Sequence, residues 1–203
     1  MGLIHIDLFT TLDGVAQAPG GPEEDTEGGF AFGGWQAPLS DALVGEQVVA
    51  GMEGLDALLL GRRTYDIFAG FWPKQEDGPF TRIVNGLPRY VASHTLTTSD
   101  WPGTTILGGD VVHEVAEIKG RHDRIGLWGS ADLVQTLLRH ELVDRLDLWI
   151  YPLLLGTGKR IFAEGISPAA FHRTEVTPFQ GGAIHAVYER AGHPTYSEMG
   201  AEA

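Results

Sequence analysis

The sequence predicts an α/β protein with a mixed, mostly parallel central sheet, helices on both faces and a C-terminal antiparallel hairpin. Short apolar runs alternate along the chain with segments of helical periodicity, which is typical of parallel strands joined by helices. Near the end, two strand-like runs are joined by a glycine-rich turn, which indicates antiparallel pairing. The chain has 203 residues, of which 43% are hydrophobic, enough for one core and too little for two comfortable domains.

The elements follow in order along the chain. Residues 3–9 have an apolar period near two and predict a strand, whereas residues 13–34 are rich in Gly, Pro, Asp and Glu and predict a long loop. The other predicted strands are 55–60, 90–92, 105–107, 125–128 and 145–155, and the hairpin joins 171–176 to 183–189. The predicted helices are 41–53, 64–71, about 110–119 and 131–140. We expect one domain over 1–190 and a loose polar tail over 191–203.

Composition and charge exclude several classes of function. The chain has no cysteine, so disulfides, iron–sulfur clusters, Cys-ligated zinc and thiol nucleophiles are ruled out, and we predict no metal site. A net charge of −13 with only 14 Lys and Arg argues against a nucleic-acid surface. No apolar stretch approaches the roughly 18 residues of a membrane span, and the start lacks a signal-peptide pattern. We therefore expect a cytoplasmic protein without a membrane partner.

Two strand-to-helix turns are candidate sites. In the first, Gly61 allows a tight turn, Arg62 and Arg63 match phosphate oxygens, and Thr64 caps the next helix. This pattern predicts an anion site; the alternative is a pair of solvated surface arginines. The second turn, over residues 128–133, could place backbone N–H groups against a pyrophosphate, or it could be an ordinary turn with a serine N-cap.

A third segment, residues 151–160, carries two glycines and two cations at the end of a strand. It could bind phosphate, although an exposed tight turn is the simpler interpretation.

In this order, the motifs resemble a known family. The segments 60–65, 91–96, 128–133 and 142–162, together with Asp13-Gly14 after the first strand, resemble successive motifs of the dihydrofolate-reductase-like proteins related to the C-terminal reductase domain of the riboflavin-pathway deaminase/reductase. The resemblance spans about residues 3–190 and implies a three-layer dihydrofolate-reductase-like fold. It also implies NADPH as the cofactor.

The resemblance assigns residues to the cofactor. By analogy, the first turn holds the adenosine-side phosphates, the segment after the next strand lies beside the adenine ribose, the second turn holds the pyrophosphate, and backbone after the first strand flanks the nicotinamide. The cofactor-binding residues so implied are Thr11, Gly61, Arg62, Arg63, Thr64, Ser93, His94, Thr95, Gly129, Ser130, Ala131, Asp132 and Leu133. At two places the chain departs from the family: His94 stands where many relatives have a basic residue, and Ser130 and Ala131 stand where glycines are common. Because histidine is mostly neutral at pH 7, we predict only a modest preference for NADPH over NADH.

The substrate side is assigned by the same analogy. In dihydrofolate reductases an acidic residue in the helix before the Gly-Arg-x-Thr strand binds the substrate, and Asp41 and Glu46 are the candidates here. Asp13 and Asp41 are the predicted catalytic acids. The predicted substrate contacts are Trp35, Glu46, Tyr151, Gly156 and Lys159. The alternative is that these acids are capping or surface residues and that Trp35 packs on the core.

These implications favour an NADPH-dependent reductase acting on a small heterocyclic or carbonyl substrate, with residues 18–34 as a lid. The closest analogy is 5-amino-6-(5-phosphoribosylamino)uracil reductase of riboflavin biosynthesis, although the chain has no zinc deaminase motif. The alternative is a non-catalytic dimeric protein that binds NADPH or another ligand on the same fold. In either case we expect a homodimer, because relatives commonly pair and the apolar strand at 146–155 offers additional surface.

Overall fold

An eight-stranded mixed sheet organises the protein, whose structure is a computed structural model describing residues 1–200. The strands are β1 (Leu3–Thr11), β2 (Ala57–Gly61), β3 (Arg89–Ala92), β4 (Thr104–Leu107), β5 (Arg124–Trp128), β6 (Arg145–Tyr151), β7 (Ala170–Pro178) and β8 (Ile184–Gly192). The helices are α1 (Ala42–Met52), α2 (Arg62–Phe71), α3 (Pro79–Gly86), α4 (Val111–Lys119) and α5 (Ala131–Arg139), with short 3-10 turns at Glu27–Gly29, Ala37–Leu39 and Trp72–Lys74.

The strand order is β4-β3-β2-β5-β1-β6-β8-β7. The first six strands in this order pair in parallel, while β8 pairs antiparallel with both β6 and β7. The predicted mixed sheet with a C-terminal antiparallel hairpin is therefore confirmed.

The side chains of the central strand β1 alternate between two cores. Ile4, Ile6 and Leu8 pack with the apolar faces of α4 and α5 on one side of the sheet. On the other side, the core contains residues of α1, α2 and α3 together with Trp149 and Tyr151 of β6. Helices thus cover both faces, as a mostly parallel sheet requires, and the molecule has three layers.

The pairing of β2 with β5 positions the candidate site. In this pair Leu59 lies opposite Leu127, and each strand passes with at most two intervening residues into a helix, β2 into α2 and β5 into α5. The carboxyl ends of parallel strands share one edge of the sheet, so the two helix N-termini lie side by side. In α/β sheets, ligands bind at such edges where the strand order reverses.

Three differences from the expected elements are the clearest. Helix α3 was not predicted, because its start, Asp77-Gly78-Pro79, has the composition of a turn; proline at the first helical position nevertheless suits a helix. Strand β6 ends at Tyr151 rather than at residue 155, because the chain then turns so that Leu155 and Gly156 donate their N–H groups to the Asp13 carboxylate. Strand β8 continues to Gly192, so the predicted tail begins two residues late, and its last residues, 201–203, lie outside the described residues.

Strand β6 does not supply the surface on which the homodimer was expected. It lies inside the sheet between β1 and β8, and its large side chains Trp149 and Tyr151 are fully buried. The argument from unused apolar surface on this strand is therefore wrong, and the homodimer stays a prediction that needs another face. Within residues 1–200, no helix combines the length and apolar character needed to span a bilayer.

Candidate functional site

A cavity of about 920 Å³ opens at the carboxyl edge of the parallel strands. It is bounded by the ends of β1, β2 and β5, by residues of α1, α2 and α5, and by the loop that follows β1. Its volume is at the upper end for ligand pockets, which run to about 1,000 Å³. The cavity can therefore accept a ligand the size of a dinucleotide.

Two helix N-termini are joined at the wall of this cavity. Ser130 donates from its backbone N–H to the Thr64 hydroxyl oxygen at 3.0 Å, and the Gly61 N–H donates to Ser130 Oγ at 2.8 Å. The approach leaves no space for side chains, because a Cβ on Gly129 would lie 2.8 Å from Thr64 Oγ1. These glycines are needed for close contact between the two turns.

The N-terminus of α5 presents unpaired donors to the cavity. Gly129 and Ser130 both adopt left-handed backbone, with φ of 56° and 57°. The amide N–H groups of Ala131, Asp132 and Leu133 have no acceptor within residues 1–200, and all three residues line the cavity. Free N–H groups at a helix N-terminus bind anions, so this turn has the chemistry of a phosphate site.

Cationic and hydroxyl side chains surround the N-terminus of α2. Arg62 contacts Asp66 at 2.8 Å and donates to the Thr95 hydroxyl at 3.4 Å. Ser93 lines the cavity and accepts the Thr95 N–H at 3.2 Å, which fixes the turn after β3. His94 also lines the cavity, with Nδ1 3.0 Å from the Gly108 carbonyl oxygen. The structure thus brings the residues assigned to the adenosine side close together.

The loop after β1 is tied across the cavity by four ion pairs. Asp25 contacts Arg63 at 2.8 Å and Lys159 at 2.6 Å, and Glu27 contacts Arg63 at 3.0 Å and Lys159 at 2.5 Å. Burial by itself would raise the pKa of Asp25, but Lys159, the Glu27 amide and Arg63 together lower it. Arg63 and Lys159, two of the cations expected to meet ligand groups, are therefore already bound to loop carboxylates.

Asp13, a predicted catalytic acid, does not line the cavity. Its carboxylate accepts the Thr11 hydroxyl at 2.6 Å and the N–H groups of Leu155 and Gly156 at 3.2 and 2.8 Å. These bonds, the Thr11 hydroxyl first, hold the pKa of Asp13 at about 2. Asp13 thus fixes the turn after β6, and Thr11 and Gly156 contribute to the same hydrogen-bond set rather than to the cavity wall.

The other substrate-side candidates also lie outside the cavity wall. Asp41 caps α1 by accepting the Leu43 N–H at 2.9 Å, and Glu46 is exposed on that helix. Helix α1 presents Val48 to the cavity instead. Trp35 and Tyr151 pack edge to face in the core, with ring centroids 5.5 Å apart. Of the five predicted substrate contacts, Lys159 alone lines the cavity.

Sequence analysis missed Asp7, a buried acidic residue on the cavity wall. Asp7 lies in the middle of β1, lines the cavity and is only 8% exposed. Phe9, Phe68, Trp72 and Phe80 line the same cavity and were not assigned to the site either. A charged residue inside an apolar strand was the available signal, because buried charges are rare unless paired. The aromatic residues come from four elements, and nothing in the sequence indicates that they meet.

The chain is similar to several known proteins. The chain is 28% identical over 199 residues to the uncharacterized protein YyaP of Bacillus subtilis (strain 168), covering 93% of this chain and 95% of that protein. A structure provisionally named a riboflavin biosynthesis protein, from Shewanella sp. PV-4, aligns with a TM-score of 0.70 at 22% identity, over 94% of this chain and 99% of that chain. Dihydrofolate reductase from Enterococcus faecalis, solved with NADP(H) and RAB-propyl, aligns with a TM-score of 0.61 at 12% identity, over 94% and 97% of the two chains.

The predicted dihydrofolate-reductase-like fold is confirmed by these structural alignments. Residues 3–184, nearly the whole chain, match the model of the RibD C-terminal domain. The chain therefore belongs to the RibD C-terminal domain family.

Proposed function

We propose that this protein is an NADPH-dependent reductase that transfers a hydride to a small heterocyclic or carbonyl substrate. The observation that carries the proposal is the junction of two helix N-termini, with adjacent arginines, on the wall of a large cavity. Membership in the RibD C-terminal domain family supports it.

The cavity residues fit a dinucleotide. The free amides of Ala131, Asp132 and Leu133 suit a pyrophosphate, and the cradle at Gly61 and Gly129 permits close backbone approach. Arg62, beside Thr95, would meet the adenosine side. When bound, the dihydronicotinamide supplies the hydride, and the chain supplies position and a dry environment.

The loop after β1 has a defined part in this proposal. It covers the cavity through the ion pairs of Asp25 and Glu27 with Arg63 and Lys159, and it thereby excludes water. A phosphate that binds Arg63 must displace these carboxylates. The loop would therefore reorganise when an anionic ligand binds.

The substrate we favour carries no phosphate of its own. The intermediate reduced in riboflavin biosynthesis is phosphorylated, but Lys159 is bound to Asp25 and Glu27. Arg160 lies 3.5 Å from Asp13 and donates to its backbone carbonyl. An uncharged substrate needs no further cation, whereas a phosphoribosyl compound would have to break the contacts of Lys159 or Arg160 in addition to those of Arg63.

Thermal denaturation tests the cofactor part of the proposal. NADPH at about 100 times its dissociation constant should add about 2.7 kcal/mol to the free energy of unfolding, which corresponds to roughly 5–10 °C for a chain of this length. The Arg62→Ala/Arg63→Ala variant should lose most of this shift. Arg82→Ala is the matched control, because Arg82 is exposed, pairs with Asp77 and does not line the cavity.

The possible outcomes separate the alternatives. If NADPH and NADH both leave the melting temperature unchanged, the chain is not a nicotinamide-dependent enzyme. If NADPH stabilises the chain but no carbonyl or heterocyclic compound is reduced, the non-catalytic ligand-binding alternative is favoured. An equal shift in the double variant and the wild type would remove the first turn from the site.

A further inference from the structure

A buried carboxyl group lies on the apolar side of the cavity. Asp7 is 8% exposed and stands where β1 passes between β5 and β6. Aromatic side chains adjoin it in the sheet, with Trp128 opposite it on β5 and Phe9 two residues along β1, and the apolar part of the cavity lining also includes Val48, Phe68, Trp72 and Phe80. A carboxyl group in such surroundings is costly to keep ionised and, among structural residues, is normally paired with a cation. Asp7 has no cation partner within residues 1–200.

The two oxygens of Asp7 are in different situations. Oδ1 accepts the Trp149 indole N–H at 2.9 Å. Oδ2 receives no hydrogen bond of normal geometry from residues 1–200 and is not among the fully enclosed polar atoms; the Trp128 indole N–H lies near the carboxyl group without a normal hydrogen bond to it. One oxygen is therefore held by the core, and the other is available to a ligand.

The surroundings of Asp7 favour its protonated form. Burial, followed by the neighbouring carboxylate Asp147, raises its pKa well above the usual range, and the indoles of Trp149 and Trp128 and the more distant Arg145 oppose this only in part. The charged groups that act on it are Asp147 and Arg145, both on β6; β5 contributes the uncharged Trp128, and α1 presents Val48 to the cavity. Because Oδ1 is the acceptor for Trp149, the proton belongs on Oδ2, where it faces the cavity.

The chemistry of the ligand atom follows from this. An O–H group at Oδ2 requires an acceptor, such as a carbonyl oxygen or an imine nitrogen. The apolar wall disfavours charged groups beside it. The cavity at this point therefore selects the polarised C=O or C=N group of an uncharged, largely apolar molecule.

We propose that Asp7 is the proton donor of this enzyme, acting on the oxygen or nitrogen of a C=O or C=N bond as the adjoining carbon is reduced. The proposal rests on the reductase function proposed above. The carbon gains a hydride from the bound dihydronicotinamide while the π bond opens, and the oxygen or nitrogen takes the proton from Oδ2. Asp7 is left as a carboxylate hydrogen-bonded to Trp149, the nicotinamide is left oxidised, and water returns the proton to Asp7 after the product leaves.

The other carboxyl groups near the cavity cannot take this part. Asp147 is held ionised, with a pKa of about 2, because Arg145 and His185 outweigh its burial. Asp25 is bound to two cations. Glu24 lines the cavity, and burial raises its pKa, but it lies on the loop after β1, is more exposed than Asp7, and accepts the N–H groups of Gly20 and Gly21 through Oε2 at 2.6 and 3.1 Å. Asp7 is the cavity-lining acid that is both buried on a central strand and free of cation partners within residues 1–200.

The experiment measures NADPH oxidation with two probes, benzaldehyde for C=O and quinoxaline for C=N. We expect the wild type to reduce at least one of them. Its kcat should fall as pH rises through the pKa of Asp7, and this fall is the pH limb of the profile. Asp7→Asn keeps an acceptor for Trp149 and should lower kcat by about 100-fold or more, a typical contribution of a general acid. The NADPH dissociation constant should stay within about threefold of the wild type, and the pH limb should disappear.

Two further variants make the test independent of simple damage to the fold. Asp7→Glu retains an acid and should keep the pH limb at reduced kcat. Asp147→Asn removes the like charge opposite Asp7 in the sheet register, so the limb should move to lower pH. A purely structural Asp7 would give neither result.

Each contrary outcome has one meaning. If Asp7→Asn retains kcat and the pH limb, the assignment of Asp7 is wrong and the reductase proposal survives. If a wild type that binds NADPH reduces neither probe, the assignment of Asp7 is wrong and the non-catalytic alternative is favoured. If NADPH does not stabilise the wild type at all, the reductase proposal fails and the assignment falls with it.

Discussion

The substitution Gly129→Ala tests the junction of the two helix N-termini most directly. Gly129 has a φ of 56°, and a Cβ there would lie 2.8 Å from Thr64 Oγ1 and 3.3 Å from Thr64 Cγ2. The hydroxyl cannot easily move aside, because it accepts the Ser130 N–H and contacts Ser130 Oγ, each at 3.0 Å. The substitution therefore strains the backbone and the contact together.

The expected loss of stability has two parts. A left-handed alanine costs roughly 1–2 kcal/mol, and an overpacked contact costs typically about 1–3 kcal/mol. The sum is about 2–5 kcal/mol, which for a chain of this length lowers the melting temperature by roughly 4–20 °C. Since relaxation would move Ser130 and the amides after it, the NADPH dissociation constant should rise by about tenfold or more.

Two other glycines provide matched controls. Gly14 has a φ of 79° with no atom within 4 Å of a built Cβ, so Gly14→Ala should cost only the backbone part, roughly 1–2 kcal/mol. Gly45 lies within α1 with open space around it, so Gly45→Ala should stabilise by up to about 1 kcal/mol. Calorimetric melting gives all three values, and titration gives the NADPH dissociation constants. A Gly129→Ala variant no less stable than Gly14→Ala, with unchanged NADPH binding, would refute the close junction.

Three further predictions concern charge. Asp25→Asn combined with Glu27→Gln frees Arg63, so the NADPH dissociation constant measured by calorimetry should fall by about threefold. A higher dissociation constant would mean that the loop contacts favour NADPH binding rather than compete with it. Burial, then Arg145 and Arg124, lowers the pKa of His5 from 6.5 to about 4. In this pH range His5 binds a proton in the unfolded chain but stays neutral in the native chain. About 3 kcal/mol of the free energy of unfolding is therefore lost as pH falls from 6.5 to about 4. His5→Phe should flatten this slope in urea titrations, and an unchanged slope would contradict the burial. If His94 meets the 2′-phosphate, the ratio of the NADH to the NADPH dissociation constant should grow as pH falls from about 8 to about 6, and this ratio should not change with pH in His94→Gln. The same pH dependence in the wild type and the variant would show that His94 takes no part in phosphate recognition.

The sequence by itself determined the layers and located the two glycine turns of the candidate site. Apolar periodicity is a local property, so it located the parallel strands, α1, α2, α4, α5 and the hairpin within a few residues. The two glycine turns could be found because each is a contiguous motif in which strand, glycine and helix N-terminus follow directly. The structure brings these turns into contact through the Thr64 and Ser130 hydroxyl groups.

Tertiary structure alone decided which acids face the cavity. Asp13 and Asp41 look similar to Asp7 in sequence, but Asp13 is used by the turn after β6 and Asp41 by the start of α1. The position of Asp7 depends on β1 being placed between β5 and β6 and on Trp149 reaching across from β6 to one of its oxygens. Likewise, the pairing of Lys159 with Asp25 joins residues 134 positions apart. Such contacts depend on strand order and side-chain packing over long separations, which local periodicity does not encode.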